Sequence, residues 1–258
     1  AGTSVVGEPS SGNQISGNAG NGVHVLNSTG VAVQGCVIGL NLTGTSAIPN
    51  EGDGLYFQNS DDGLVGGTEF GTRNYISGNT GSGIQLRGLD NAVIEGNYIG
   101  VDAAGTAALP NEGTAGVYLA TGAASSTVGG ETAAARNIIS GNAGYGVVVA
   151  SGASSNDVMG NYIGTDKDGA SAVANGEDGI EISAVSADVN GNLISGNSGR
   201  GVVLWGASTA FLIKNLIGTD AEGDTALPNG EDGVLVRDSL NCLVGDTSEG
   251  DGNVISGN

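Results

Sequence analysis

Carboxylates crowd into two related stretches of this chain. "GTDKDGASAVANGEDG" (164–179) carries Asp166, Asp168, Glu177 and Asp178, and "GTDAEGDTALPNGEDG" (218–233) carries Asp220, Glu222, Asp224, Glu231 and Asp232. Two earlier versions hold fewer: Asp102 with Glu112, and Asn41 with Glu51 and Asp53. Oxygens on a glycine-rich loop are what calcium takes, some 6–8 at a time. The spacing Asp166-x-Asp168-Gly169 loosely resembles the opening of a calcium loop, but the remaining ligand positions of an EF-hand are absent. Calcium is therefore the cofactor these residues would hold. The competing expectation is a solvated acidic loop with no metal.

Histidine chemistry is narrowly limited. His24 is the single histidine, so neither a His-based triad nor a three-His zinc site can be built. Aromatic chemistry has more material. Tyr56 and Tyr118 occupy the middle of two "GVxL"-type runs, and Tyr75, Tyr98 and Tyr162 precede an isoleucine in three others. With Trp205 they form the set that would present ring faces to a ligand. The alternative for the tyrosines is a half-buried position at a bend, under the acidic stretches.

The elements that must position these residues follow from repetition, which is read before anything else. "ISGN" begins at Ile15, Ile76, Ile139, Ile194 and Ile255. A Gly followed by apolar-x-apolar recurs at Gly22, Gly54, Gly83, Gly116, Gly146, Gly179, Gly201 and Gly233. Period-2 alternation of aliphatic residues is the strand signature. The shortest spacing between copies, 22 residues from Gly179 to Gly201, is one coil, and the excess elsewhere is loop. One loop type is the acidic stretch; the other is "VGGTEFGTRN" from Val65, echoed from Val128 and loosely from Val244. Such a coil is too short for a propeller blade of ~40 residues. It suits three short strands pairing in parallel with the next coil at ~4.8 Å. The five isoleucines should stack inside, glycine should turn the corners, and asparagine should form ladders along the stack. Tyr56 and Tyr118 then lie two coils apart, ~10 Å, a spacing that would seat alternate sugars. Tyr75, Tyr98, Ile138, Tyr162, Leu193, Leu216 and Val254 would form an outer apolar stripe. Cys36 takes an asparagine position and should be buried, too far from Cys242 to bridge, about six coils or ~30 Å.

Seven basic residues face 27 acidic ones, a net charge of -20. A phosphate backbone would be repelled, which argues against nucleic acid as a partner. No run reaches the ~20 apolar residues of a membrane span, so no membrane insertion is expected.

The repeats "NxISGNxGxGVxL" resemble right-handed parallel β-helix proteins of the pectate-lyase type, and among them the Gly/Asn-rich repeats of bacterial surface and secreted proteins. The resemblance covers the whole chain and implies an all-β solenoid of about eight to nine coils, one domain over residues 1–258, outside the cell or on its surface. "VGEPSSGNQISGN" and "VGDTSEGDGNVISGN" share a phase, so a segment of a longer array is expected. The resemblance implies a non-catalytic structural or adhesive module binding calcium or a polysaccharide or cell-surface glycan. It also implies an alternative, a lyase, epimerase or hydrolase acting on carbohydrate. The basic and carboxylate clusters that such enzymes share do not stand in this sequence; Arg73 and Arg136 simply precede corners. Self-association through coil ends or the apolar stripe is a further expectation.

Overall fold

The computed structural model describes residues 4–245, 250 and 252–258. Among them the chain winds through 28 short strands and no helix, from Ser4–Val6 to Val254–Ile255. Three parallel sheets form the walls of a solenoid. Sheet A has eleven strands, among them Val31–Val33, Ser154–Met159 and Val185–Asn190. Sheet B has nine, all two residues long, and sheet C has eight, six starting directly after one of the recurrent glycines and two, Ala115–Leu119 and Tyr145–Val149, running through it. Each coil passes from A to B to C, so strands adjacent in a sheet come from successive coils.

Nine isoleucines run down the inside of sheet B in unbroken register: Ile15, Ile38, Ile76, Ile99, Ile139, Ile163, Ile194, Ile217 and Ile255. The isoleucine of ISGN thus alternates with that of the shorter "IG" corner. Ile38 through Ile217 are fully buried, each contributing about 1.5–3 kcal/mol of apolar burial. Ile255 keeps the register but is 45% exposed, so the expectation that all five ISGN isoleucines are enclosed fails at this last coil.

Two asparagine ladders bracket sheet B. At the A-to-B corner, Nδ2 of each residue donates to Oδ1 of the next along Asn74, Asn97, Asn137, Asn161, Asn192, Asn215 and Asn253, at 2.9–3.1 Å. Cys36 stands in this column; its backbone N–H donates to Asn74 Oδ1 at 2.9 Å. At the B-to-C corner the ladder runs Asn18, Asn50, Asn79, Asn111, Asn142, Asn175, Asn197, Asn229 and Asn258. Here the asparagine of ISGN alternates with one from the end of each acidic loop. The glycine of ISGN takes a positive φ near 70–80° at Gly17, Gly78, Gly141, Gly196 and Gly257, which only glycine adopts without strain. Cys36 is buried and Cys242 half-buried, and both thiols are free.

The acidic loops are the chief departure from a smooth rod. Each closes through an antiparallel bridge, Leu40 to Ala47, Val101 to Ala108, Thr165 to Ala172 and Thr219 to Ala226. They occur in alternate coils yet touch. Ala103 N–H donates to Gly44 O, Lys167 N–H to Gly105 O and Ala221 N–H to Gly169 O, at 2.9–3.0 Å. This second stack lies over the outer side of sheet B. Tyr98, Ile138 and Leu193 are buried beneath it and Tyr75, Tyr162 and Leu216 half-buried. The outer apolar stripe expected from the sequence is therefore a second, smaller core, with Val101 and Val173 in it. Over this stretch it offers no open face for pairing rods side by side.

Candidate functional site

The structure gives the acidic residues individual tasks. Asp166 Oδ1 accepts from the backbone N–H of Ala170 and Ser171, and Asp220 Oδ1 from those of Asp224 and Thr225. Asp102 and Asn41 do the same for Thr106 and Ala107, and for Thr45 and Ser46. These side chains close their own loop by accepting from backbone N–H groups four and five residues on, and hydrogen bonds from the Thr225 hydroxyl and from the Thr225 and Asp224 backbone hold the Asp220 carboxyl below its usual range. Lys167 Nζ pairs with Asp168 at 2.7 Å. Arg200 gathers the carboxylates at the loop ends: Asp178 at 3.8 Å, Asp232 at 3.4 Å, and Glu231. Asp178 also accepts from the Arg200 backbone N–H at 2.6 Å. Among the described residues, no three His, Cys, Asp or Glu side chains are arranged to hold a metal ion. Glu177, Glu222 and Asp224 join no such set.

The aromatic candidates divide into covered and open. Tyr98 is 7% exposed, with the Arg73 guanidinium 4.2 Å above its ring and Tyr75 edge-on at 5.7 Å. Tyr162 carries Arg136 at 3.9 Å in the same way. Each arginine also donates from Nε to a corner carbonyl of the next coil, Gly96 or Gly160. On sheet C the outward column reads His24, Tyr56, Gln85, Tyr118, Val148, Glu181, Val203, Leu235. Tyr56 and Tyr118 are half-buried and separated by Gln85, and His24 stacks on Tyr56 at 4.8 Å. Trp205 is 50% exposed, with Arg237 at 4.8 Å over its ring.

Two arrangements were not visible in the sequence. Burial and the charges of Glu181, Asp178 and Glu177 push the Tyr145 hydroxyl up to about 12. On the outer side of sheet A, Asp157 and Asp188 stand in register on adjacent strands. Burial raises both carboxyls, and the Asp188 charge raises Asp157 further. The sequence signal, an Asp three residues before the A-to-B corner glycine in successive coils, becomes readable only once the coils are aligned.

The family model for the right handed beta helix region matches residues 10–217. This chain belongs to that family. The β-helix supplies the hand of the coil that the repeats implied. No curated protein matches it by sequence. Among solved structures, it is similar to the periplasmic alginate epimerase AlgG, at 15% identity and a TM-score of 0.56, over 83% of this chain and 49% of that one. A mutant of the same epimerase gives 16% and 0.57 with the same coverage. The chain spans about half the length of these structures, and at such identity the likeness is one of fold.

Proposed function

We propose that this β-helix is a non-catalytic structural and adhesive rod of an extracellular bacterial protein, displaying a surface to polysaccharide. One observation carries the reading: the side chains with acid–base or ligand chemistry are mostly engaged in holding the rod. Asp102, Asp166 and Asp220 close loops, Arg200 collects Asp178, Glu231 and Asp232, and Arg73 and Arg136 cover tyrosines. The ladders meanwhile pass through successive coils without a break at which reacting groups converge. A rod with a straight repeat at ~4.8 Å suits a partner that is itself linear and repetitive.

A second reading, a carbohydrate-active enzyme, draws on Asp157 and Asp188. Paired carboxylates with raised pKa are the material of acid–base work on glycosides, and AlgG, named as an alginate epimerase, shares the fold. The two readings separate in one experiment. The protein is incubated with alginate and with neutral polysaccharides, while reducing ends and the anomeric proton spectrum are followed. Unchanged polymer, together with retardation of the protein in polysaccharide-containing gels, is the expected result. Turnover that disappears in Asp157→Asn would replace the rod with the enzyme.

A further inference from the structure

The A-to-B corner is uneven. Insertion loops over residues 66–74 and 129–137 stand out from it, while the intervening coils turn tightly at Gly35, Gly96 and Gly160. The tight corners need glycine: a Cβ on Gly96 would come within 2.4 Å of the Gly67 carbonyl and 3.0 Å of that of Ala134. A trough of about 560 Å³ results, floored by Gly35 and Gly96, walled by Thr68, Glu69 and Phe70 with Arg73, and reaching Ala134 of the next loop. That volume lies in the ordinary range of small-ligand sites.

Phe70 is 92% exposed, more than any other large apolar side chain described. The fold does not require it. The loop from Val128 has the same length and ends on the same Arg-Asn, yet holds Ala133 where Phe70 stands. Arg73, by contrast, has its equivalent in Arg136, pinned in the same manner by a corner carbonyl and a tyrosine ring. Among the described residues no carboxylate pairs with Arg73. With Nε held by Gly96, its guanidinium lines the trough as a fixed fork of donors.

We infer that this trough is a binding site for an uncharged hexopyranose chain lying along the rod, with Phe70 stacking on a sugar face and Arg73, Glu69 and Thr68 reading hydroxyls. An aromatic face beside a planar donor, a carboxylate acceptor and a hydroxyl is the complement of a ring that is apolar on its C–H face and polar at its edge. Charge selects against polyanions: Glu69 lines the trough together with Arg73, and the molecule carries -20. Length fits as well. The corner columns of Gly35, Arg73 and Gly96 belong to three successive coils, and a pyranose in an extended 1,4-linked chain is about as long as one coil rise, ~4.8 Å.

The inference rests on the rod reading but can fail separately from it. Binding of cellohexaose, mannohexaose and, as the anionic probe, hexagalacturonate is measured by calorimetry on the whole chain. A neutral hexasaccharide is expected to bind, and Phe70→Ala to weaken it at least tenfold with the melting temperature unchanged. Ala133→Phe, which restores a ring to the empty equivalent, should raise the number of sites or the affinity. The inference is overturned if neither neutral probe binds at millimolar concentration, if Phe70→Ala binds as well as the parent, or if hexagalacturonate alone binds. Hydrolysis or rearrangement of a bound probe would instead remove the non-catalytic reading and leave the trough standing.

Discussion

Asp157 and Asp188 show what a parallel stack does to single residues. A side chain in such a sheet has its homologues directly above and below, so two aspartates in one column face each other at strand spacing. Their column neighbours are Thr127 on one side and Phe211 on the other, and neither supplies a cation. Both carboxyls are raised by burial, Asp157 also by the Asp188 charge. The sign follows from proton linkage. The folded state holds these protons more tightly than the unfolded chain. The pair's stabilisation is therefore complete below the ordinary carboxylate range and is lost as pH rises through the raised values. At neutral pH the two charges repel across the strands, costing about 0.5 kcal/mol. Asp188→Asn should therefore melt higher than the parent at pH 7–8, and the gain should vanish near pH 3. A variant less stable than the parent at pH 7 would show that the Asp188 charge is stabilised by a partner. Cys36 shows the same effect of burial without a like charge stacked on it. It takes a ladder position inside the rod, and burial raises its thiol.

At the scale of the element, the asparagine ladders do what a hydrophobic core cannot: they satisfy corner backbone groups that the glycines leave exposed to the interior. Asn142 accepts from Asn111 Nδ2 at 2.9 Å and donates to Asn175 Oδ1 at 2.9 Å and Ile99 O at 3.2 Å. Asn142→Ala removes these while the partners stay buried, a loss of about 3 kcal/mol. Asn18, exposed at the first rung, should cost well under half as much. Equal melting temperatures for the two variants would deny the ladder its role. The ladders, the isoleucine column and the coil period were legible in the sequence because each residue's neighbours recur at a fixed offset. The fate of Tyr98 and Leu193 was legible only as one of two alternatives, an outer stripe or a place under the acidic stretches, and the second holds. Their burial depends on loops from alternate coils reaching each other across a coil without one, through contacts such as Ala103 to Gly44. The tasks of the acidic residues were not legible for a related reason. Whether Asp166 faces a cation or its own backbone is decided by the closure of the loop, and composition is the same in both cases. Arg200, the partner of three carboxylates, lies 22 to 32 residues from them.

The whole molecule carries 27 acidic and seven basic residues, and the ion pairs among the described residues use only a few of the acids. Self-repulsion of a compact rod with this charge lowers its stability, and salt screens it over ~10 Å at 0.1 M. The melting temperature should therefore climb with sodium chloride. Calcium tests whether anything more specific is present. The Oδ1 atoms of Asp166 and Asp220 already accept two backbone hydrogen bonds each, and Asp178, Glu231 and Asp232 face Arg200. A calcium ion drawing these oxygens into one shell would have to break the turns that hold the stacked loops together. Calcium chloride should accordingly raise the melting temperature no further than magnesium chloride at the same ionic strength. A calcium-specific rise that grows with concentration, as mass action on a native-state site requires, would return Asp166, Asp168, Asp220 and Asp224 to a ligand set. If Asp220→Asn also abolished that rise, the acidic loops would be metal sites as well as a cover for the second core.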